Sequence, residues 1–116
     1  METNKVMSKH NAEHYVWGQN CDGWRLVDRE ERSIIHERMH PGTYEERHYH
    51  EKSSQFFFVL SGQMTIEIEG TEYTVNPHEG IEVLPKKPHQ VFNKSAGDLE
   101  FIVTSTPNTR NDRVHV

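Results

Sequence analysis

The chain of 116 residues carries 13 Lys+Arg against 18 Asp+Glu, a formal charge of −5 with neutral histidines, and its length fits one domain. With 33% hydrophobic residues and a mean hydropathy of −0.88 the core has to be thin, and a chain of this size buries only about two-thirds of its unfolded surface. The single cysteine, Cys21, excludes an intrachain disulfide framework and a multi-Cys zinc site and agrees with a reducing compartment.

The acidic balance argues against nucleic acid as a partner, because phosphate binding needs clustered Lys/Arg and here only Lys86-Lys87 are adjacent lysines. The longest apolar run, Phe56-Phe57-Phe58-Val59-Leu60, is too short to span a bilayer, and Met1-Glu2-Thr3-Asn4-Lys5 lacks the regions of a secretory signal. The expectation is a cytoplasmic protein without a membrane partner.

Residues 1–23 are polar and irregular, with Tyr15 and Trp17 as their large apolar side chains, and are expected to form an N-terminal arm packing on the body. From Trp24 onward, short stretches rich in Ile, Val, Phe, Tyr and Thr recur, each ended by Gly, Pro, Asn or Ser, the pattern of an all-β domain. Strands are expected near 24–28, 33–40, 43–50, 55–60, 63–69, 71–76, 80–84, 89–94 and 98–105. Ser61-Gly62 and Glu69-Gly70 read as tight hairpin turns. No apolar period of 3.6 residues lasts long enough for a helix. So many short strands in one small domain suggest a sandwich or barrel over residues 24–106, followed by a tail over 107–116.

Nine histidines are about three times the usual share for a chain of this length, and two arrangements among them could bind metal. His36-Glu37-Arg38-Met39-His40 spells the H-E-x-x-H of zinc proteases, which works only on a helix. Pro41 and Gly42 follow directly and Ser33-Ile34-Ile35 precede it as a strand. On a strand, residues four apart lie about 13 Å from each other, so this motif is a decoy.

The second arrangement is His48-Tyr49-His50, then Gln55, then His89. In a strand, residues i and i+2 share a face, so His48 and His50 can reach one ion. Gln55 could add an amide oxygen and His89 a third imidazole. Such a set suits Zn, Ni, Fe, Mn or Cu and leaves positions open for substrate. A single histidine is more often a surface or hydrogen-bonded residue, and with nine histidines an H-x-H can arise by chance.

Residues Gly42 through Gln55, with Gly62 beyond, resemble the first cupin motif: G, five residues, H-x-H, three or four residues, E, six residues, G. Every fixed position matches except that Gln55 stands for Glu. The stretch from Pro77 to Asn93 resembles the second motif, with His89 and Asn93 in the ligand and terminal positions and His78, Leu84 and Lys86 departing from it. The resemblance covers residues 34–104. It implies a double-stranded β-helix, the cupin or jelly-roll barrel, with one divalent metal ion per chain (Zn, Ni, Mn or Fe) held by His48, His50, Gln55 and His89 inside the barrel mouth. The ligand set is also similar to that of cupins that linearise uronate sugars.

Gln55 is neutral, so the full charge of a divalent ion remains and should favour an anionic or chelating ligand. Alternation puts Tyr44 and Glu46 on the face of His48 and His50, Phe57 and Val59 on that of Gln55, and Leu99, Phe101 and Val103 together. Glu46 is the candidate general acid or base, against a solvated rim charge. Tyr44, Phe57, Phe101 and Arg110 are candidate substrate contacts, with Arg113 an alternative to Arg110. Phe56, Phe58 and Leu60 carry the opposite parity and need cover from another sheet, from the arm or from a second subunit, a homodimer being the simplest. The functional expectation is a metal-dependent enzyme performing isomerase-like proton transfer on a small polar carboxylated or sugar-derived metabolite. A metal-dependent dioxygenase and a non-catalytic ligand-binding cupin are the alternatives.

Overall fold

The computed structural model describes residues 4–116; the first three residues of the expected arm lie outside the described residues. Eleven strands and no helix are found among the described residues: β1 Glu13–Trp17, β2 Cys21–Asp28, β3 Ser33–Met39, β4 His48–Tyr49, β5 Ser54–Ser61, β6 Met64–Ile68, β7 Thr71–Val75, β8 Gly80–Val83, β9 His89–Phe92, β10 Leu99–Thr106 and β11 Val114–His115. They build a six-stranded sheet in the order β1-β2-β3-β10-β5-β8 and a five-stranded sheet in the order β11-β4-β9-β6-β7, antiparallel throughout.

Strict alternation explains how two such sheets enclose a core. In β10, Leu99, Phe101, Val103 and Ser105 are buried while the residues between them are not, and in β5 Gln55, Phe57 and Val59 face inward. Met64 and Ile66 of β6 and Val91 of β9 close the cluster from the other sheet. Each of the apolar side chains among these contributes about 1.5–3 kcal/mol by leaving water. Opposite parity exposes Phe56; Phe58 is half-buried and stacks on His78 at 6.4 Å.

Three expectations change. The stretch expected as an irregular arm contains β1, which pairs with β2 so that Tyr15 lies opposite Gly23. A Cβ at Gly23 would collide with the Tyr15 ring, so glycine is what lets the ring cross the strand. Second, Ser61-Gly62 is not a hairpin. Its flanking strands lie in different sheets, and the segment is the corner where the chain changes layer, with Gly62 at φ 81° packed against the Asp98 carbonyl. Glu69-Gly70, by contrast, joins β6 to its partner β7 with both residues at positive φ, as hairpin geometry requires.

Third, the strand expected over 43–50 shrinks to His48–Tyr49. Residues before it run as a loop tied by Glu45 N to the Val91 carbonyl (3.0 Å) and by an isolated bridge from Tyr44 to Phe92. The i, i+2 alternation therefore does not extend from His48 back to Glu46.

Candidate metal centre and its cavity

His48 in β4 and His89 at the start of β9 are cross-strand partners, and His50 follows β4 one pleat away. Their ring centroids lie 4.4 Å (His48 to His89), 4.8 Å (His48 to His50) and 5.6 Å (His50 to His89) apart, and one nitrogen from each ring falls within 4.8 Å of the others. Gln55 reaches the same cavity from β5 in the opposite sheet. Ligand candidates thus come from both layers.

The backbone fixes the tautomer of all three rings. Nδ1 of His48 donates to the Glu46 carbonyl at 2.8 Å, Nδ1 of His89 to the Lys87 carbonyl at 3.0 Å, and Nδ1 of His50 to the Asp112 carbonyl. A carbonyl can only accept, so each Nδ1 carries the proton and each Nε2 keeps its lone pair. His50 Nε2, His89 Nε2 and Gln55 Oε1 are buried without a hydrogen-bond partner. Orphaned acceptors are costly in a protein interior; two of them line the cavity and the third belongs to the ring clustered with His48 and His50, an arrangement that a cation would satisfy. Burial also lowers the imidazole pKa values, to about 3 for His48 and about 4 for His89, with His50 shifted the same way. Neutral imidazoles are the form that binds metal. The residues present fit a divalent ion, with three nitrogens and one amide oxygen as donors.

The cavity has a volume of about 150 Å³. Ile35, Phe57 and Phe101 form apolar wall, and Tyr15, Glu37, Glu45 and Arg113 bring polar groups to it. Removal from water raises Glu37 to about 7, against the opposing charges of Arg113 and Arg25. Glu45 rises to about 8 for the same reason, with Arg113 opposing and Glu37 adding to the shift. Its Oε2 lies 3.7 Å from His48 Nδ1. Burial, reinforced by Glu37, keeps the Tyr15 phenol protonated well above its usual range. Arg113 Nε donates to His115 Nε2 at 3.2 Å.

Of the expected substrate contacts, Phe57 and Phe101 line the cavity. Tyr44 does not: it is exposed and packs on Phe92 at 6.1 Å. Arg110 points away and grips Asp28 with two bonds of 2.7 and 2.8 Å, while Arg113 takes the place at the cavity. Glu46 is also outside, its carboxylate paired with His115 at 2.8 Å, because the loop before β4 breaks the alternation on which its placement rested. Glu37 and Tyr15 went unsuspected. The signal for Glu37 is its alternation with Ile35 and Met39 on β3, which the H-E-x-x-H spelling masks by pairing it with His36 and His40. That motif runs along β3 and ends one residue beyond it, with His36 Nε2 bound to Glu100 at 2.7 Å and His40 Nδ1 to Asp98 at 3.3 Å.

The cupin domain family matches residues 35–105, and the chain belongs to it. Among curated proteins, an oxidoreductase of Arthrobotrys oligospora is 29% identical over 69 residues, 56% of this chain and 27% of that protein, so the chain spans about a quarter of that relative's length. Among solved structures, KdgF from Halomonas sp. superposes with a TM-score of 0.82 at 16% identity, covering 91% of this chain and 96% of that one. The nucleoside dehydratase Pac13 of Streptomyces gives 0.81 at 18%, covering 98% and 92%. The polyketide cyclase RemF from Streptomyces resistomycificus gives 0.78 at 16%, covering 91% and 81%. At these identities the likeness establishes the fold, and chemistry has to be argued from the site.

Proposed function

We propose that this cupin is a metal-dependent enzyme that moves a proton on a small polar, carboxylated or sugar-derived metabolite. The observation that carries the reading is the clustering of three carbonyl-anchored imidazoles, two of which, His48 and His50, share one cavity with the unpartnered Gln55 oxygen and the Glu37 and Glu45 carboxyls. His48, His50, His89 and Gln55 would hold a divalent ion, Zn, Ni, Mn or Fe, which when bound supplies Lewis acidity toward a carbonyl or hydroxyl oxygen. Glu37 holds or releases a proton near neutrality, the range in which a general acid–base group is most effective. All four donors are neutral, and Arg113 adds a positive charge at the cavity, so an anionic substrate group is favoured. Ile35, Phe57 and Phe101 give the substrate an apolar wall. Loss of water, the reaction for which Pac13 is named, is of the same proton-moving class.

Elemental analysis of protein purified without a histidine tag tests the reading, together with exchange of substrate C–H for solvent deuterium over a panel of uronates and sugar acids. Bound Zn, Mn or Ni, lost in His48→Ala, and proton exchange that requires Glu37 are expected. A metal-free protein, or a His48→Ala variant of unchanged turnover, overturns it. The oxidoreductase relative favours one second reading, an iron-dependent oxygenase, for which bound iron and oxygen uptake with an aromatic or diketone substrate would be the signature. Pairing of two chains over the exposed Phe56 face is part of the same proposal, and sedimentation of the wild type against Phe56→Glu decides it.

A further inference from the structure

The segment after β10 does more at the metal centre than a tail would. Ser53 Oγ donates to the Pro107 carbonyl at 2.6 Å, Val116 N donates to the Arg47 carbonyl at 3.1 Å, and β11 lies antiparallel on β4, Val114 opposite Tyr49 and His115 opposite His48. Between these anchors Asp112 N–H closes a turn onto the Thr109 carbonyl at 2.9 Å. Both sides of Asp112 then act on the ligand segment. Its main-chain oxygen accepts the Nδ1 proton of His50. Its carboxylate accepts the backbone N–H groups of Glu51 (2.7 Å), Lys52 (3.1 Å) and Ser53 (3.1 Å), the three residues that follow His50 and lead to Gln55.

We infer that Asp112 is a positioning residue that holds His50 and the loop from His50 to Gln55 in metal-binding geometry; this rests on the metal site proposed above. Three consecutive amides converging on one carboxylate form a charge-assisted clamp on the segment whose length sets the separation of two ligands. The carbonyl of the same residue selects the tautomer of the first of them. A partner outside the first ring of ligands that orients an imidazole typically changes metal affinity by 10–100-fold when removed. Here one residue does this through main chain and side chain together. His48 and His89 take their carbonyls from residues two positions earlier in their own segments, whereas His50 depends on a carbonyl 62 positions away. His50 is therefore the ligand whose geometry is set by tertiary structure.

The test measures Zn(II) affinity of the whole chain by competition with a chromophoric chelator. Asp112→Ala is expected to bind about 10–100-fold more weakly. Asp112→Asn, which keeps an acceptor oxygen without the charge, should fall between it and the wild type and covers the case in which the alanine variant fails to fold. Asn108→Ala removes two side-chain bonds that tie the same segment to Asp28 and Arg29, at 2.9 and 3.0 Å, without touching the link to His50; its affinity should stay within about twofold. Long-range proton–nitrogen NMR of the metal-free wild type reads the His50 ring directly: Nδ1–H is expected, because the Asp112 carbonyl, which an alanine would keep, can only accept. Unchanged Zn(II) affinity in a folded Asp112→Ala, an equal loss in Asn108→Ala, or an Nε2–H tautomer of His50 in the wild type overturns the inference. If the wild type itself takes up no Zn(II), the metal reading falls, and the tautomer measurement still decides the link between Asp112 and His50.

Discussion

The side-chain amide of Gln55 donates to the Ser105 hydroxyl at 3.1 Å, across the β5–β10 pair in which these residues are direct register partners. That bond orients the amide so that Oε1 is the group left for the cavity. Ser105 is itself buried, so Ser105→Ala strands the donor at a cost of about 1–3 kcal/mol, visible in thermal unfolding, and loosens the oxygen. Metal affinity should fall with it. Gln55→Glu should do the reverse, binding Zn(II) more tightly in chelator competition while weakening binding of small carboxylates, because the added negative charge cancels part of the ion's.

Glu37 makes the stability of metal-free protein depend on pH in a stated direction. Its pKa rises from 4.5 unfolded to about 7 folded, through burial, so the native state holds the extra proton between those values. Stability from this group is fully present below pH 4.5 and is lost as pH rises through 7. In the presence of a chelator, Glu37→Gln should therefore remove a stability loss that the wild type suffers between pH 5 and 8, read as unfolding midpoints in urea. Equal slopes for the two proteins over that range would refute it.

His36 and His40 should be dispensable for metal. His36 serves Glu100 at 2.7 Å, a carboxylate that also pairs with Lys9 at 3.0 Å, and sits edge-on to Trp24 at 5.4 Å. Loss of one partner from such a cluster costs on the order of 1 kcal/mol. His36→Ala should lower thermal stability modestly and leave metal content at wild-type level. His89→Ala should abolish it.

What the sequence made legible follows from the range of the forces involved. Alternation is local, so Gln55, Phe57 and Val59, and Leu99, Phe101 and Val103, could be assigned to the inner face from spacing alone. The H-x-H pair and the cupin motifs located the centre for a similar reason, since ligand spacing along one strand is short. Glu46 failed because its assignment extended a two-residue pleat across a loop fixed by contacts with β9. Arg110 and Arg113 could not be told apart, since the choice between Asp28 and the cavity depends on a tertiary ion pair. The role of Asp112 was invisible, as its partners lie some 60 residues away along the chain.

Gly23→Ala tests the part of the cavity wall that Tyr15 supplies. Tyr15 reaches the cavity by crossing the β2 backbone at Gly23, and a methyl there would occupy the space of the Tyr15 ring. Ring and methyl cannot both stay, and overpacking of this kind costs about 1–3 kcal/mol. The variant should melt earlier, and Tyr15 should move out of its buried setting. The phenol titration is the sharper reading, because burial first and Glu37 second hold it above the usual tyrosine range; in Gly23→Ala it should fall back toward 10 in ultraviolet difference titration. Removing the aromatic ring relieves the clash, so Tyr15→Ala combined with Gly23→Ala should be no less stable than Tyr15→Ala alone. If Gly23→Ala leaves the titration of Tyr15 unchanged, the ring does not depend on that glycine.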